Sequence, residues 1–296
     1  MAKYDDVTNQ ITAQLKAGTK PWIKPFAGGG SFMPRRSTGQ YYKGINVILL
    51  WLQDRSAPMW MTYRQAAALG GQVRKGEKGT TICYTAPAQK KDSDETYQVM
   101  KWYSVFNVDQ IDDLPDSYYP KVIGFDNPDK PIYCIDGFFD NTQSTVVVGS
   151  TRGAFYMPSH DRIEMPAFSA FRSGLDYYST LAHEHMHWTG HKSRLDRTMS
   201  SKKREYAFEE LIAEMGAAFL MAHLGLEPTV RPDHTDYLAN WLEALGNDNK
   251  FIFQAASAAS KAVDYMIDKQ QQEQQEAWYE QQDCSDLLED KVNAKV

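Results

Sequence analysis

Val7, Ile11 and Leu15 recur at four-residue intervals among polar neighbours, a spacing that predicts a helix over residues 5–17 with one buried stripe. Ile45 to Gln53 is largely apolar and predicts a second helix. Tyr63 to Leu69 predicts a short third one, stopped by Gly70-Gly71. The period then changes. Lys75-Gly76-Glu77-Lys78-Gly79 reads as a turn feeding a strand over Thr80 to Ala86, and Gln98 to Val108 pairs back across a polar tip at 88–96. Residues 109–131 are acidic and carry Pro115, Pro120, Pro128 and Pro131, the pattern of a linker or packed loop. Short strands are expected around Thr145–Gly149, Ala154–Met157 and Arg162–Glu164, with helices dominating to about residue 268. The Gln/Glu-rich run after Lys269 either extends the last helix or opens a tail.

These elements predict an α+β chain of two domains. The first covers 1–112, a linker covers 113–131, the second covers 132–268, and 269–296 form a polar tail. A length of 296 residues, 42% of them hydrophobic, is enough for two cores. No stretch approaches the ~20 apolar residues that cross a bilayer, and the first residues lack the apolar run of a secretory signal. Three scattered cysteines exclude a disulfide framework and a Cys-x-x-Cys metal site. A cytoplasmic protein without a membrane partner is expected.

The formal charge of −6 hides a strong asymmetry. Residues 1–91 hold 14 basic and 4 acidic side chains, and the remaining residues hold 18 and 34. The basic part is also rich in aromatics, in loops punctuated by Gly and Pro. Single-stranded nucleic acid asks for cations along its phosphates and rings against its bases. Lys20, Trp22, Lys24, Arg35, Arg36, Tyr41, Tyr42, Lys43, Arg64, Arg74, Lys75 and Lys78 are the candidate contacts. Trp51 and Trp60, in apolar surroundings, are expected in the core. The acidic remainder would direct DNA away from its own surface and onto the basic one.

His183-Glu184-His185-Met186-His187 is an H-E-x-x-H motif. On a helix, His183 and His187 share one face and can hold one Zn²⁺, with Glu184 placed to take a proton from a water at the open position. Ser173 can cap that helix and Gly190 can end it. A third ligand is expected from Phe208 to Leu220, where Glu210 and Glu214 lie four apart and small Ala213 and Ala217 permit close approach. Glu210 is assigned as ligand and Glu214 as the carboxylate behind a histidine; the reverse assignment stays open. His191 is a further candidate ligand, and Glu209 suits a solvated acidic face. Tyr206 and His185 are candidates to steady an oxyanion. Three protein ligands leave an open, catalytic position, so amide hydrolysis is expected, with Arg152–Met157 pairing with an extended peptide. Zn²⁺ is the expected ion, with Mn²⁺ or another divalent metal open.

Thr19-Lys20-Pro21-Trp22, Gly39-Gln40-Tyr41-Tyr42-Lys43-Gly44-Ile45-Asn46 and Gly70 through Gly79 resemble the N-terminal domain of plasmid-encoded ArdC-type antirestriction proteins. His183 to His187, Trp188-Thr189-Gly190-His191, Arg194-Leu195 and the Glu210 helix resemble the zincin-like metallopeptidase domain of the same family. The resemblance covers roughly residues 1–265. It implies a single-stranded-DNA-binding domain joined to a gluzincin-type peptidase similar to SprT/Spartan proteases, which act on DNA-bound proteins. It further implies protection of incoming plasmid DNA during conjugation. In gluzincins a Glu-x-x-x-Asp helix supplies the ligand and the supporting carboxylate; here Glu214 stands at the Asp position. An alternative is a non-catalytic protein that masks DNA and holds its metal for structural reasons. A metallonuclease fits poorly, because the donor set favours tetrahedral zinc over an oxygen-rich Mg²⁺ site.

Overall fold

The structure is a computed structural model, and it describes residues 2–23, 33–89, 96–119, 130–198, 202–229 and 235–270. The first half runs α1 (Ala2–Lys16), β1 (Arg35–Arg36), α2 (Ile45–Trp51), β2 (Met59–Met61), α3 (Tyr63–Ala68), β3 (Gln72–Val73), β4 (Thr80–Gln89), β5 (Thr96–Asn107) and β6 (Ile111–Asp112). The second runs α4 (Tyr133–Asp140), β7 (Thr145–Val148), β8 (Phe155–Met157), β9 (Arg162–Met165), α5 (Gly174–Thr189), α6 (Lys203–His223), α7 (Thr235–Asn247) and α8 (Phe251–Asp268). The chain is therefore α+β, as its patterning predicts.

The long β4–β5 hairpin holds a four-stranded sheet in the order β1-β2-β5-β4. Asn46 explains itself here. Its side-chain amide donates to Cys83 O at 2.6 Å and accepts from Cys83 N at 2.9 Å, so a polar residue in an apolar helix acts as a neighbour for the β4 edge. A two-stranded pair, β3 with β6, lies over a small core of Met59, Met61, Val73, Val108, Ile111 and Leu114. Leu114 belongs to that core, so the expected linker begins as packed chain; residues 120–129 lie outside the described residues. The second half carries a three-stranded sheet in the order β7-β9-β8, with β7 parallel and β8 antiparallel to β9.

α6 is the central helix. It packs against α5, α7 and α8, and nearly every side chain from Ala207 to Ala222 is buried. Contact on three sides requires burial nearly all round rather than along one apolar stripe. Ala213 and Ala217 are buried as expected, but Gly216 sets the tightest approach. A Cβ there would lie 2.5 Å from Met186 Sδ on α5.

One apolar cluster continues from α1 and α2 into α6, α7 and α8. Trp51 meets Phe219 edge-on, and Trp22 meets Trp241 in the same way. The two halves thus bury side chains against each other. α4 was not anticipated: it is eight residues long and no side chain caps its start, so the spacing of Ile135, Phe138 and Phe139 is its one signal, over barely two turns. β1 and β2 are too short to show a period.

Candidate metal centre and nucleic-acid groove

α5 begins at Ser173, whose hydroxyl accepts from Asp176 N, and stops at Gly190. This frame sets His183 and His187 on one face, where their Nε2 atoms approach to 3.1 Å. α6 crosses that face and delivers Glu210. Its Oε2 lies 3.6 Å from His183 Nε2 and its Oε1 lies 3.5 Å from His187 Nε2. One donor atom from each of the three falls within 4.8 Å of the others. Ligands at ~2.0–2.1 Å around a tetrahedral ion stand roughly 3.3–3.4 Å apart, so the observed spacings suit one small divalent ion.

A carboxylate stands behind each histidine, closer at His187 than at His183. Glu209 Oε1 lies 3.2 Å from His187 Nδ1, and Glu214 Oε1 lies 3.5 Å from His183 Nδ1. A cation backs each carboxylate. Arg197 forks Glu209 at 2.7 and 2.9 Å, and Lys20 Nζ donates to Glu214 Oε2 at 3.2 Å. Two expectations are corrected here. Glu209 is buried rather than solvated, because Arg197 offsets its charge in the interior. Lys20 reaches the metal centre rather than a phosphate, because Trp22 and Trp241 pack its segment against the second half. Glu184 is buried as well. Four carboxylates against two cations leave two negative charges, which a divalent ion would offset.

Burial pushes the Glu210 carboxyl up, but the hydrogen bond from His183, the nearby imidazoles and the Tyr206 hydroxyl outweigh it and hold the group at about 2. Tyr206 is 41% exposed, so this hydroxyl sits at the lip of the site, 3.1 Å from the Tyr237 hydroxyl. His185 points away from the ligand face. Its Nδ1 faces Leu181 O, its Nε2 pairs with Ser144 Oγ at 2.8 Å, and its ring lies on Phe139. Burial lowers its pKa to about 4, so it is a neutral core residue. His191 lies outside the ligand cluster and pairs with Ser193 Oγ at 2.8 Å.

The expected DNA contacts divide into groups. A groove of about 1100 Å³ between the first half and α8 brings Arg36, Tyr41, Tyr42 and Lys43 together. Arg36 lies over the Tyr42 ring, and Lys43 is tied to Asp264 at 2.7 Å. Arg35 donates to the Tyr41 hydroxyl at 2.7 Å, and Tyr41 stands edge-on to His223. Arg64, Lys75 and Lys78 are exposed but do not line the groove. Arg74 is held by Asp112 and Glu77. Trp22 and Tyr42 are corrections, since both are buried and offer no open ring face for stacking. Trp51 and Trp60 are in the core, as expected. Lys24 lies outside the described residues.

Glu209, Arg197 and the Lys20 contact escape a reading of the sequence. Their partners come from separate segments, and no spacing links them. The arrangement of an H-E-x-x-H helix, a crossing glutamate helix and a small mixed sheet defines a zincin-like metallopeptidase domain. Comparison with known families agrees. The zincin-like metallopeptidase profile matches residues 134–258, and that of the N-terminal domain of anti-restriction factor ArdC matches residues 1–107. Crystal structures of the antirestriction ArdC protein from plasmid R388, one metal-free and one Mn(II)-bound, are 44% identical to the chain with a TM-score of 0.77. They cover 90% of this chain and 97% of that one. The uncharacterised protein y4eC of Sinorhizobium fredii is 35% identical over 89% of this chain and 91% of its own length. Two DNA primases TraC of Escherichia coli are 37% and 36% identical over 92% of this chain, which spans only 28% and 20% of their lengths. The chain belongs to the ArdC family of antirestriction proteins. None of the described helices is long and apolar enough to cross a membrane.

Proposed function

We propose that the protein binds single-stranded DNA with low sequence specificity and hydrolyses a protein associated with that DNA, so protecting incoming plasmid DNA from restriction. The observation that carries this reading is the convergence of His183 Nε2, His187 Nε2 and the Glu210 carboxylate, with their supporting pairs, beside buried Glu184. A divalent ion held there would polarise a carbonyl and acidify a water. Two imidazoles and a carboxylate suit Zn²⁺ and also admit Mn²⁺. Glu184, one residue on from His183, takes the proton of the attacking water and returns it to the leaving nitrogen. Tyr206, exposed at the lip, would turn its hydroxyl from Glu210 to the carbonyl oxygen as negative charge develops there. β8 ends its sheet, so its outer edge is available to pair with an extended peptide.

DNA binding rests on the excess of basic side chains in residues 1–91 and on the family. The test is Glu184→Gln, scored for cleavage of a DNA-bound protein and for protection of transferred DNA. The variant is expected to retain metal and DNA while cleavage falls by roughly 10²–10⁴-fold and protection is lost. Full protection by this variant would instead favour a non-catalytic protein that masks DNA.

A further inference from the structure

α8 belongs to the acidic half of the chain, yet the face it turns to the groove is basic over most of its length and acidic only at its end, where Asp264 and Asp268 continue the same stripe. Lys250 precedes the helix, and Gln254, Ser257 and Lys261 follow at steps of four, three and four, which stacks them on one side. All four are exposed and all line the groove. Opposite them stand exposed Arg36 and Tyr84, the latter on β4 with 44% of its surface open. The two walls are tied at the floor, where Gly44 N donates to Ser260 Oγ at 2.7 Å. Gly44 and Ser257 are neighbours there, a Cβ on Gly44 standing at ordinary contact distance, 3.8 Å, from the Ser257 Cα. Asp264 and Asp268 close one end, with Asp264 held by Lys43.

Three features point to the occupant. The groove, at about 1100 Å³, is at the upper end of ligand-site volumes and open to solvent, so it has room for an extended ligand. Cations stand on both walls, the requirement for tracking phosphates. An exposed ring faces the same space, the requirement for stacking a base. We propose that this groove holds single-stranded nucleic acid, and that α8 supplies Lys250 and Lys261 as phosphate contacts opposite Arg36, with Tyr84 as the base platform. The proposal rests on the single-stranded-DNA reading above and adds to it the place of binding and the share taken by the second half. It also revises the expectation that the acidic half only repels DNA, because the charge of a half does not describe each of its faces. His223, in the groove, lies nine residues along α6 from Glu214, about 14 Å of helix. A strand in the groove would thus hold its own bound proteins near the metal centre.

The test is fluorescence anisotropy of a labelled oligothymidylate with the full chain, across a range of salt. Lys250→Gln with Lys261→Gln is expected to weaken binding roughly tenfold at low salt. It should also make the log–log salt slope shallower by about 1.4, the share of two phosphates on a single strand. Tyr84→Ala should weaken binding about fivefold or more and leave the slope alone. Lys202→Gln with Lys203→Gln, the same change of charge at exposed positions of the second half outside the groove, should retain wild-type affinity. Thermal melting checks that each variant is folded, and all of these positions are exposed. Wild-type affinity and slope in the Lys250/Lys261 variant would overturn the proposal, as would tighter binding of duplex than of single strand. A wild-type chain that binds neither would instead remove the DNA reading itself, a separate failure.

Discussion

Lys20→Met isolates the contact between the basic half and the metal centre. The substitution keeps most of the side-chain length and removes the ammonium that donates to Glu214 Oε2 at 3.2 Å. Glu214 is 6% exposed, so water cannot replace the lost partner. Removing one member of a buried pair costs about 3–5 kcal/mol, because the remaining charge stays in the interior. Glu214 also stands 3.5 Å behind His183 Nδ1, and loss of such a supporting group lowers metal affinity about 10–100-fold. Urea denaturation of the metal-free chain reads the first effect, and calorimetric titration with Mn²⁺ or Zn²⁺ reads the second. A double-mutant cycle with Glu214→Gln apportions them. Lys20→Met with Glu214→Gln should be less harmful than the sum of the single changes, since it leaves no unpaired buried charge. Electrostatics acting alone would tighten the site for a cation once a positive charge is removed. Unchanged or tighter metal binding by Lys20→Met, or strict additivity in the cycle, would refute the positioning argument.

Glu209→Gln should weaken metal binding about 10–100-fold while His183, His187 and Glu210 remain in place; competition with a chelator measures it, and affinity equal to wild type would count against the role of Glu209 behind His187. It should also destabilise the fold by about 3–5 kcal/mol, because Arg197 loses its bidentate partner in a buried setting. His223 gives a pH effect. Burial, together with the charge of Arg35, lowers its folded pKa to about 4, so acid favours the unfolded chain, which takes up the proton near pH 6.5. Its contribution is intact above about pH 6.5 and is lost as the pH falls to about 4, a change of at most about 3 kcal/mol because the ring is only half-buried at the groove wall. The difference in unfolding free energy between wild type and His223→Leu should shift by up to that amount across this window, and a constant difference would exclude the effect.

Much of the centre is legible in the chain because its parts are local. His183 and His187 are one helical turn apart, Ser173 and Gly190 bracket their helix, and Glu210 sits on a helix with small residues that permit close crossing. The β4–β5 hairpin is legible too, from a turn and two β-rich runs, although β4 continues to Gln89 and β5 starts at Thr96, inside the expected polar tip. The parts that escape are those whose meaning depends on distant segments. Lys20 and Trp22 read as an exposed basic and aromatic pair. Their partners Glu214 and Trp241 lie about two hundred residues away, and only the joined core brings them together.

Taken alone, the sequence determined the donor set offered to a metal, the helix that presents it, and the segregation of basic from acidic residues. These follow from side-chain type and from spacing along one element, which need no tertiary contact. The tertiary structure brought the Glu210 carboxylate to the face shared by His183 and His187, and set Glu209 and Glu214 against their other ring nitrogens. It buried Glu209 beside Arg197 and turned Lys20 from a surface cation into support for the centre. It also placed two lysines of the acidic half across a groove from the basic one. Such outcomes depend on which segments share a buried space, since burial sets the worth of a charge and its partner decides its role.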